Sequence, residues 1–155
     1  MGEILKHRLQ QSRFESPTQE ALLNLMVTAA FFQERLAEAL DPHDLTSAQY
    51  NVLRILRGAH PGGYARCEIA QRAIERAPDL TRLIDRLEAR GLVERSRSAS
   101  DRRRSVSRIT RRGLDLLERV QPAVRAVHRE LAARLPERDA RELSRICERL
   151  YGDAS

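Results

Sequence analysis

Apolar residues recur along much of this chain at intervals of three and four, the spacing of amphipathic helices. The first run follows Ser16-Pro17-Thr18-Gln19, which is typical of a capped helix start, and it stops at Asp41-Pro42. The pattern predicts one long helix between these signals, with the apolar positions Leu22, Leu25, Met26, Ala29, Phe32, Leu36 and Leu40.

Three shorter helices are predicted next. Thr46-Ser47-Ala48-Gln49 is a second capping box, and the helix that it starts ends at Gly58. A third helix, without a good cap, covers residues 66–73. The fourth has Pro78 at its first position, ends at Gly91, and carries one apolar stripe of Leu80, Leu83, Ile84 and Leu87.

After Gly91 the helical period is lost. Leu92-Val93 and Val106 to Ile109 suit short strands, whereas Ser96 to Arg104 is polar and turn-like, so a β-hairpin is predicted. Thr110 then caps a long helix, kinked at Pro122, with inward positions Leu114, Leu117, Val120, Val124, Val127, Leu131 and Leu135. Pro136 breaks this helix, and a last helix runs through Ala140, Leu143, Ile146 and Leu150.

Composition supports a mostly helical single domain. The chain has 155 residues, only 4% of them aromatic and none Trp, so its core must be built from Leu, Ile, Val and Ala. No apolar run reaches the roughly 20 residues of a membrane span, and no secretory signal precedes the first helix, so a cytoplasmic protein is expected. Cys67, Cys147 and the four histidines lack metal-ligand spacing, which predicts no metal or cofactor and buried or idle thiols.

Positive charge is concentrated in the middle of the chain. The net charge is +6, and the segment 66–112 alone holds 14 arginines against seven acidic residues. A basic middle between nearly neutral ends is typical of a nucleic-acid-binding module.

The order of helices and strands indicates which kind of nucleic-acid-binding module this is. Two short helices joined by a tight turn and followed by a basic hairpin form a winged helix-turn-helix. The recognition helix is predicted at Asp79 to Arg90, because Asp79, Thr81, Arg82 and Arg86 lie opposite the apolar stripe and face a major groove. The hairpin tip is Asp101-Arg102-Arg103-Arg104, and its adjacent guanidinium groups favour a polyanion such as the minor groove of double-stranded DNA.

These residues resemble the MarR (multiple antibiotic resistance regulator) family of transcription factors. The resemblance covers about residues 20 to 150 and rests on Leu45 to Leu53 ("LTSAQYNVL") together with Leu83, Leu87, Gly91-Leu92-Val93, Arg95, Asp101, Arg103, Ile109-Thr110 and Gly113. It implies a homodimeric, ligand-responsive repressor that binds a pseudo-palindromic operator. By this likeness Asp79, Thr81 and Arg82 contact the major groove, Arg103 the minor groove, and Arg86 and Arg95 the backbone or supporting positions. Arg97, Asp101, Arg102 and Arg104 complete the predicted DNA-binding set.

One departure concerns the second strand. Where the family usually has apolar residues, this chain has Ser105 and Ser107. The expectation is a strand that packs poorly or pairs in a shifted register.

The same resemblance implies that the chain has a DNA-binding lobe and separate dimerisation helices. Residues 45–113 form the DNA-binding lobe, and residues 1–44 and 114–155 form dimerisation helices whose apolar faces need a partner. A small-molecule effector is expected between the lobe and the dimer helices, at Met26, Phe32, Tyr50, Arg54, Tyr64 and His128.

Three other functions are alternatives to a sequence-specific repressor. An enzyme is disfavoured because the sequence has no phosphate loop and no acid/base or Ser/His/Asp arrangement. A DNA-architectural or RNA-binding protein without sequence specificity would use the same basic surface, because charge alone supplies affinity. A scaffold that has kept the fold without binding DNA is the third alternative.

Overall fold

The computed structural model describes residues 2–74, 79–97 and 105–152. Its helices are α1 Glu3–Leu9, α2 Pro17–Leu40, α3 Ser47–Gly58, α4 Arg66–Arg72, α5 Leu80–Ala89, α6 Arg111–Ala132 and α7 Glu137–Tyr151. A 3-10 turn, Asp41–His43, follows α2, and the strands β1 Val93–Arg97 and β2 Ser105–Ile109 lie between α5 and α6. The mostly helical fold with a small hairpin is confirmed.

Local capping signals set the starts of three helices. The hydroxyls of Ser16, Thr46 and Thr110 accept hydrogen bonds from the backbone N–H groups of Gln19, Gln49 and Gly113. Each bond satisfies a donor that the first helical turn leaves unpaired. Short-range chemistry therefore places these three boundaries where the sequence predicts them.

The core lies where α3, α4, α5, the hairpin and the first half of α6 meet the end of α2. Its fully buried side chains are aliphatic, as the composition predicts: Leu40, Leu53, Leu56, Ile69, Ile84, Leu87, Val93, Leu117 and Val120. This core fixes the orientation of α5 relative to the hairpin, because both bury apolar side chains in it.

The hairpin pairs in a regular antiparallel register, from Val93 opposite Ile109 to Arg97 opposite Ser105. The expectation of a poorly packed or shifted second strand is therefore wrong. Val106 and Ser107 are both buried, and the backbone N–H and C=O of Ser107 exchange hydrogen bonds with Tyr64 at 2.8 and 3.0 Å. Gly63 allows the chain to pass close to this strand, because a Cβ there would overlap the Ser107 carbonyl.

Three further predictions need correction, and one helix is additional. The fourth helix begins at Leu80 with Asp79 as its cap, not at Pro78, which lies outside the described residues. Leu135 lies beyond the end of α6 and is exposed, not inward. Cys67 is also exposed, so it is not a buried thiol. The short helix α1, which buries Leu5, was not predicted.

Pro122 lies inside α6, which continues unbroken through it. None of the helices in the described ranges combines the length and hydropathy that a membrane span needs.

Candidate nucleic-acid interface

The recognition helix α5 has one buried face and one exposed, polar face. Leu80, Ile84 and Leu87 point into the core, whereas Thr81, Arg82 and Arg86 are exposed. This division follows from the three- and four-residue spacing of the apolar positions. The three polar residues assigned to DNA on this helix therefore share its solvent face.

Asp79 organises the start of this helix. Its Oδ1 accepts a hydrogen bond from the Arg82 backbone N–H at 3.2 Å, and its Oδ2 lies 3.1 Å from Arg82 Nε. A carboxylate at a helix N-terminus satisfies an unpaired donor and complements the helix dipole. Asp79 thereby both caps α5 and orients the guanidinium of Arg82.

Arg66 was not predicted as part of the interface, but the fold brings it there. It is the first residue of α4, is exposed, and its Nη1 lies 3.4 Å from Thr81 Oγ1. The contact joins residues 15 positions apart through the helix-turn-helix packing, so spacing along one helix could not reveal it. The excess of arginine in this segment was the only available signal.

In the hairpin, Arg95 contacts α5. Its guanidinium pairs with Asp85, and its Nη1 lies 3.3 Å from Glu88 Oε2. The backbone N–H of Arg95 also donates to Glu88 Oε1 at 3.3 Å. Of the two roles that the resemblance implies for Arg95, this geometry favours the supporting one, because its guanidinium links β1 to the recognition helix.

The structure describes only some of the other hairpin residues that are predicted to contact DNA. Arg97 is exposed at the end of β1, opposite Ser105. The tip residues Asp101, Arg102, Arg103 and Arg104 lie outside the described residues.

Tyr64 and Arg108 extend the base of the hairpin. Arg108 Nε donates to the Gly62 carbonyl at 3.1 Å, and the guanidinium of Arg72 lies 4.2 Å from the centre of the Tyr64 ring. Tyr64, predicted as an effector residue, thus pairs with β2 and stacks under an arginine of α4.

Four of the other predicted effector residues form two pairs of contacting side chains. Phe32 of α2 stacks on His128 of α6, with ring centres 5.9 Å apart, and Arg54 lies over Tyr50 at 5.8 Å within α3. Met26 is exposed on α2.

An ion pair joins the same two helices as the Phe32–His128 stack. Arg35 Nη2 donates to Glu130 Oε2 at 2.8 Å. This hydrogen bond, with the charge of Arg35, lowers the pKa of Glu130 below its ordinary value and raises that of Arg35. The pair ties α2 to α6 beside the stack.

Over the described ranges, no group of three His, Cys, Asp or Glu side chains is placed to hold a metal ion. The site consists of exposed arginines and a threonine on a helix-turn-helix, with a hairpin held against it. This combination defines a winged helix-turn-helix protein, a class whose members place the second helix of the motif in the major groove of DNA.

Comparisons with known proteins identify the family. The family model described as MarR matches residues 45–105. The HTH-type transcriptional repressor Rv2887 of Mycobacterium tuberculosis is 31% identical over 124 residues, which cover 80% of this chain and 88% of that protein. The chain belongs to the MarR family of winged helix-turn-helix transcriptional regulators.

Solved structures agree with this assignment. A MarR transcription factor from Planctomyces limnophilus is 42% identical, with a TM-score of 0.66, and the match covers 88% of this chain and 98% of that one. A mutant MarR from Escherichia coli complexed with operator DNA is 27% identical, with a TM-score of 0.73, covering 81% of this chain and 89% of that one.

Proposed function

We propose that this protein is a repressor that binds a pseudo-palindromic DNA operator as a homodimer and is released by a small-molecule effector. The observation that carries the proposal is the polar face of α5, where Thr81, Arg82 and Arg86 are exposed beside Arg66 while the opposite face is buried. Arginine and threonine are residue types that read base edges in the major groove.

The proposed docking places α5 in the major groove and the hairpin over the neighbouring minor groove. Arg66, next to Thr81, is positioned for a phosphate at the groove edge. Arg95 holds the hairpin against α5, so that Arg97 at the end of β1 is available to the DNA. The proposed contacts of Asp101, Arg102, Arg103 and Arg104 rest on the sequence alone. An operator complex of an Escherichia coli relative with the same fold supports this arrangement.

The homodimer is proposed from apolar side chains outside the core. Ile4, Leu22, Leu143, Ile146 and Leu150 are all exposed in the single chain. We assign residues 1–44 and 114–155 to dimerisation and 45–113 to the DNA-binding lobe. A two-fold dimer would present two α5 helices to half-sites about 34–36 Å apart, one turn of DNA.

An effector site is proposed around Phe32 and His128, with Met26, Tyr50, Arg54 and Tyr64 as its other candidate residues. The support is its position, since the stacked rings join α2 to α6 beside the Arg35–Glu130 ion pair. A ligand that separates these helices would change the spacing of the two recognition helices.

Selection of bound duplexes from a random pool tests the proposal. The expected result is an inverted repeat with half-sites about ten base pairs apart. Enrichment without symmetry, or equal binding to random duplex and to RNA, would instead establish the architectural or RNA-binding alternative. If the protein binds neither DNA nor RNA, the result would favour the third alternative, a scaffold that has kept the fold without binding DNA.

A further inference from the structure

A cleft of about 340 Å³ lies at the C-terminal end of the recognition helix. The 3-10 turn after α2, the residues that follow α5, and the first turns of α6 form its walls. This volume lies within the range of small-molecule sites in proteins. The lining residues are Pro42, His43, Asp44, Arg90, Leu92, Arg112, Leu116 and Arg119.

The charge of this cleft is unbalanced. Three arginines line it, and Asp44 supplies the one carboxylate in its lining. The Asp44 carboxylate lies 3.5 Å from Arg90 and its side chain is 95% exposed, so it compensates Arg90 weakly. Within the described ranges, the side chains of Arg112 and Arg119 take part in no hydrogen bond or ion pair. Arginines that converge on a concave surface attract anions.

The floor of the cleft is apolar. Leu92 and Leu116 are 3% and 5% exposed, and Arg112, Leu116 and Arg119 share one face of α6 because they are spaced by four and three residues. The two arginines are seven positions apart, which is about 10 Å along the helix axis. Their guanidinium groups therefore flank a strip of aliphatic surface, an arrangement that suits a charged group attached to an apolar body.

Arg90 connects this cleft to the recognition helix. It follows α5 directly, its Nη1 donates to the Asp44 carbonyl at 2.5 Å, and its Nη2 lies 3.5 Å from the His43 carbonyl. These bonds fasten the end of α5 to the turn that continues α2. An anion in the cleft would compete with the two carbonyls for the same guanidinium.

We propose that this cleft is a regulatory site for a small organic anion. The arginines that line the cleft hold the carboxylate or phosphate of the ligand, its apolar body rests on Leu92 and Leu116, and its attraction for Arg90 loosens the end of α5. The site is separate from the Phe32–His128 region. Binding requires only the free protein, whereas its effect on DNA rests on the proposed function.

Titration of the full-length protein, followed by amide chemical shifts, tests the site. The probes are hexanoate and hexyl phosphate, with hexanamide as the neutral control and inorganic phosphate as the control without an apolar body. We expect at least one hexyl anion to shift the amides of Leu92 and Leu116 and to bind at least about tenfold more tightly than either control. Binding of neither hexyl anion would overturn the proposal.

A charge-matched pair of variants locates the binding. Arg112→Gln/Arg119→Gln removes both cleft charges, and Arg125→Gln/Arg129→Gln removes two exposed charges of the same helix outside the cleft. The first pair should weaken the hexyl anion at least about tenfold, and the second should leave its affinity within about twofold. Equal losses in both would mean general electrostatic attraction and overturn the site. Thermal unfolding of both variants checks that each is folded.

The regulatory part is tested with a duplex that the unliganded protein binds. Saturating hexyl anion should weaken binding to that duplex about tenfold, and Arg112→Gln/Arg119→Gln should abolish this response. Binding in the cleft with unchanged DNA affinity would refute regulation. A protein that binds no duplex but still binds the anion at Arg112 and Arg119 would contradict the proposed function and leave the site intact.

Discussion

Two glycines show how differently the same residue type can be used in this chain. Gly113, in the first turn of α6, is buried, and a Cβ there would overlap the Leu92 carbonyl and the Ile109 side chain. Gly58, at the end of α3, has no atom within 4 Å of the corresponding position. The close approach of α6 to the hairpin therefore depends on Gly113.

Gly113→Ala should destabilise the protein by about 1–3 kcal/mol, because the added methyl group forces the hairpin away from α6. Gly58→Ala is the matched control and should be neutral or stabilising by up to about 1 kcal/mol, because alanine restricts the unfolded chain. Urea unfolding of both variants provides the measurement. Equal free energies of unfolding would contradict the close packing.

Substitution of Arg82 is the most direct test of the proposed contacts between α5 and base edges in the major groove. Arg82→Ala should weaken binding to the selected duplex by about 1–3 kcal/mol and relax preference at one position of each half-site. Arg138→Ala, on exposed α7, removes the same charge elsewhere. A uniform loss on all duplexes after Arg82→Ala would assign Arg82 to the phosphate backbone.

At the scale of helices and strands, ion pairs join neighbouring elements at positions outside the buried core. Arg95 ties β1 to α5 through Asp85 and Glu88, and Arg35 ties α2 to α6 through Glu130. All are partly exposed, so each contributes little to the free energy of unfolding. Their main effect is on the relative positions of the elements.

Arg95→Gln should therefore cost less than about 1 kcal/mol of stability while lowering DNA affinity. A double-mutant cycle with Asp85→Asn should give a coupling energy of about 0.2–1 kcal/mol, measured by urea unfolding. Additive single-variant effects would show that the hairpin is held without this contact.

The Arg35–Glu130 pair predicts a pH dependence. Because the folded-state pKa of Glu130 is lowered, its stabilising effect is fully present above the ordinary value of 4.5 and is lost as the pH falls through the folded-state pKa. Glu130→Gln should thus lower the melting temperature at pH 7, and this difference should shrink in acid below pH 4.5. Glu118→Gln on the same helix is the control. A difference that persists at low pH would exclude the ion pair as its cause.

At the scale of the whole molecule, the distribution of apolar surface is the informative feature. The core takes up the end of α2 and the elements from α3 to α6, whereas α7 has no buried residue and exposes Leu143, Ile146 and Leu150. A helix that is amphipathic but buries nothing in its own chain indicates a surface for a partner. A second copy of the chain is the proposed partner.

Ile146→Glu should convert the dimer to a monomer, because a charge would be placed in an apolar interface. Ser144→Glu adds the same charge at an exposed polar position of α7 and should leave the dimer intact. Sedimentation equilibrium measures the mass of each variant, and the monomer should lose most of its operator affinity. A wild-type protein that sediments as a single chain would refute the dimer.

The sequence by itself determined the features that depend on neighbouring residues. Helix starts at Ser16, Thr46 and Thr110, and the buried and exposed faces of α5, follow from hydrogen bonds and periodicity within a few positions. These interactions are made by any chain with that local order, so they can be predicted without a fold.

Only the tertiary structure decided the features that join distant parts of the chain. The contact of Arg66 with Thr81, the pairing of Tyr64 with Ser107, and the enclosure of the basic cleft by the turn after α2 and by α6 all bring together residues far apart in sequence. The spacing of side chains along the sequence does not predict which elements pack together, because the shape of the shared core determines that packing. The physical reason is that local hydrogen bonds fix element boundaries, whereas burial of the aliphatic core fixes their mutual positions.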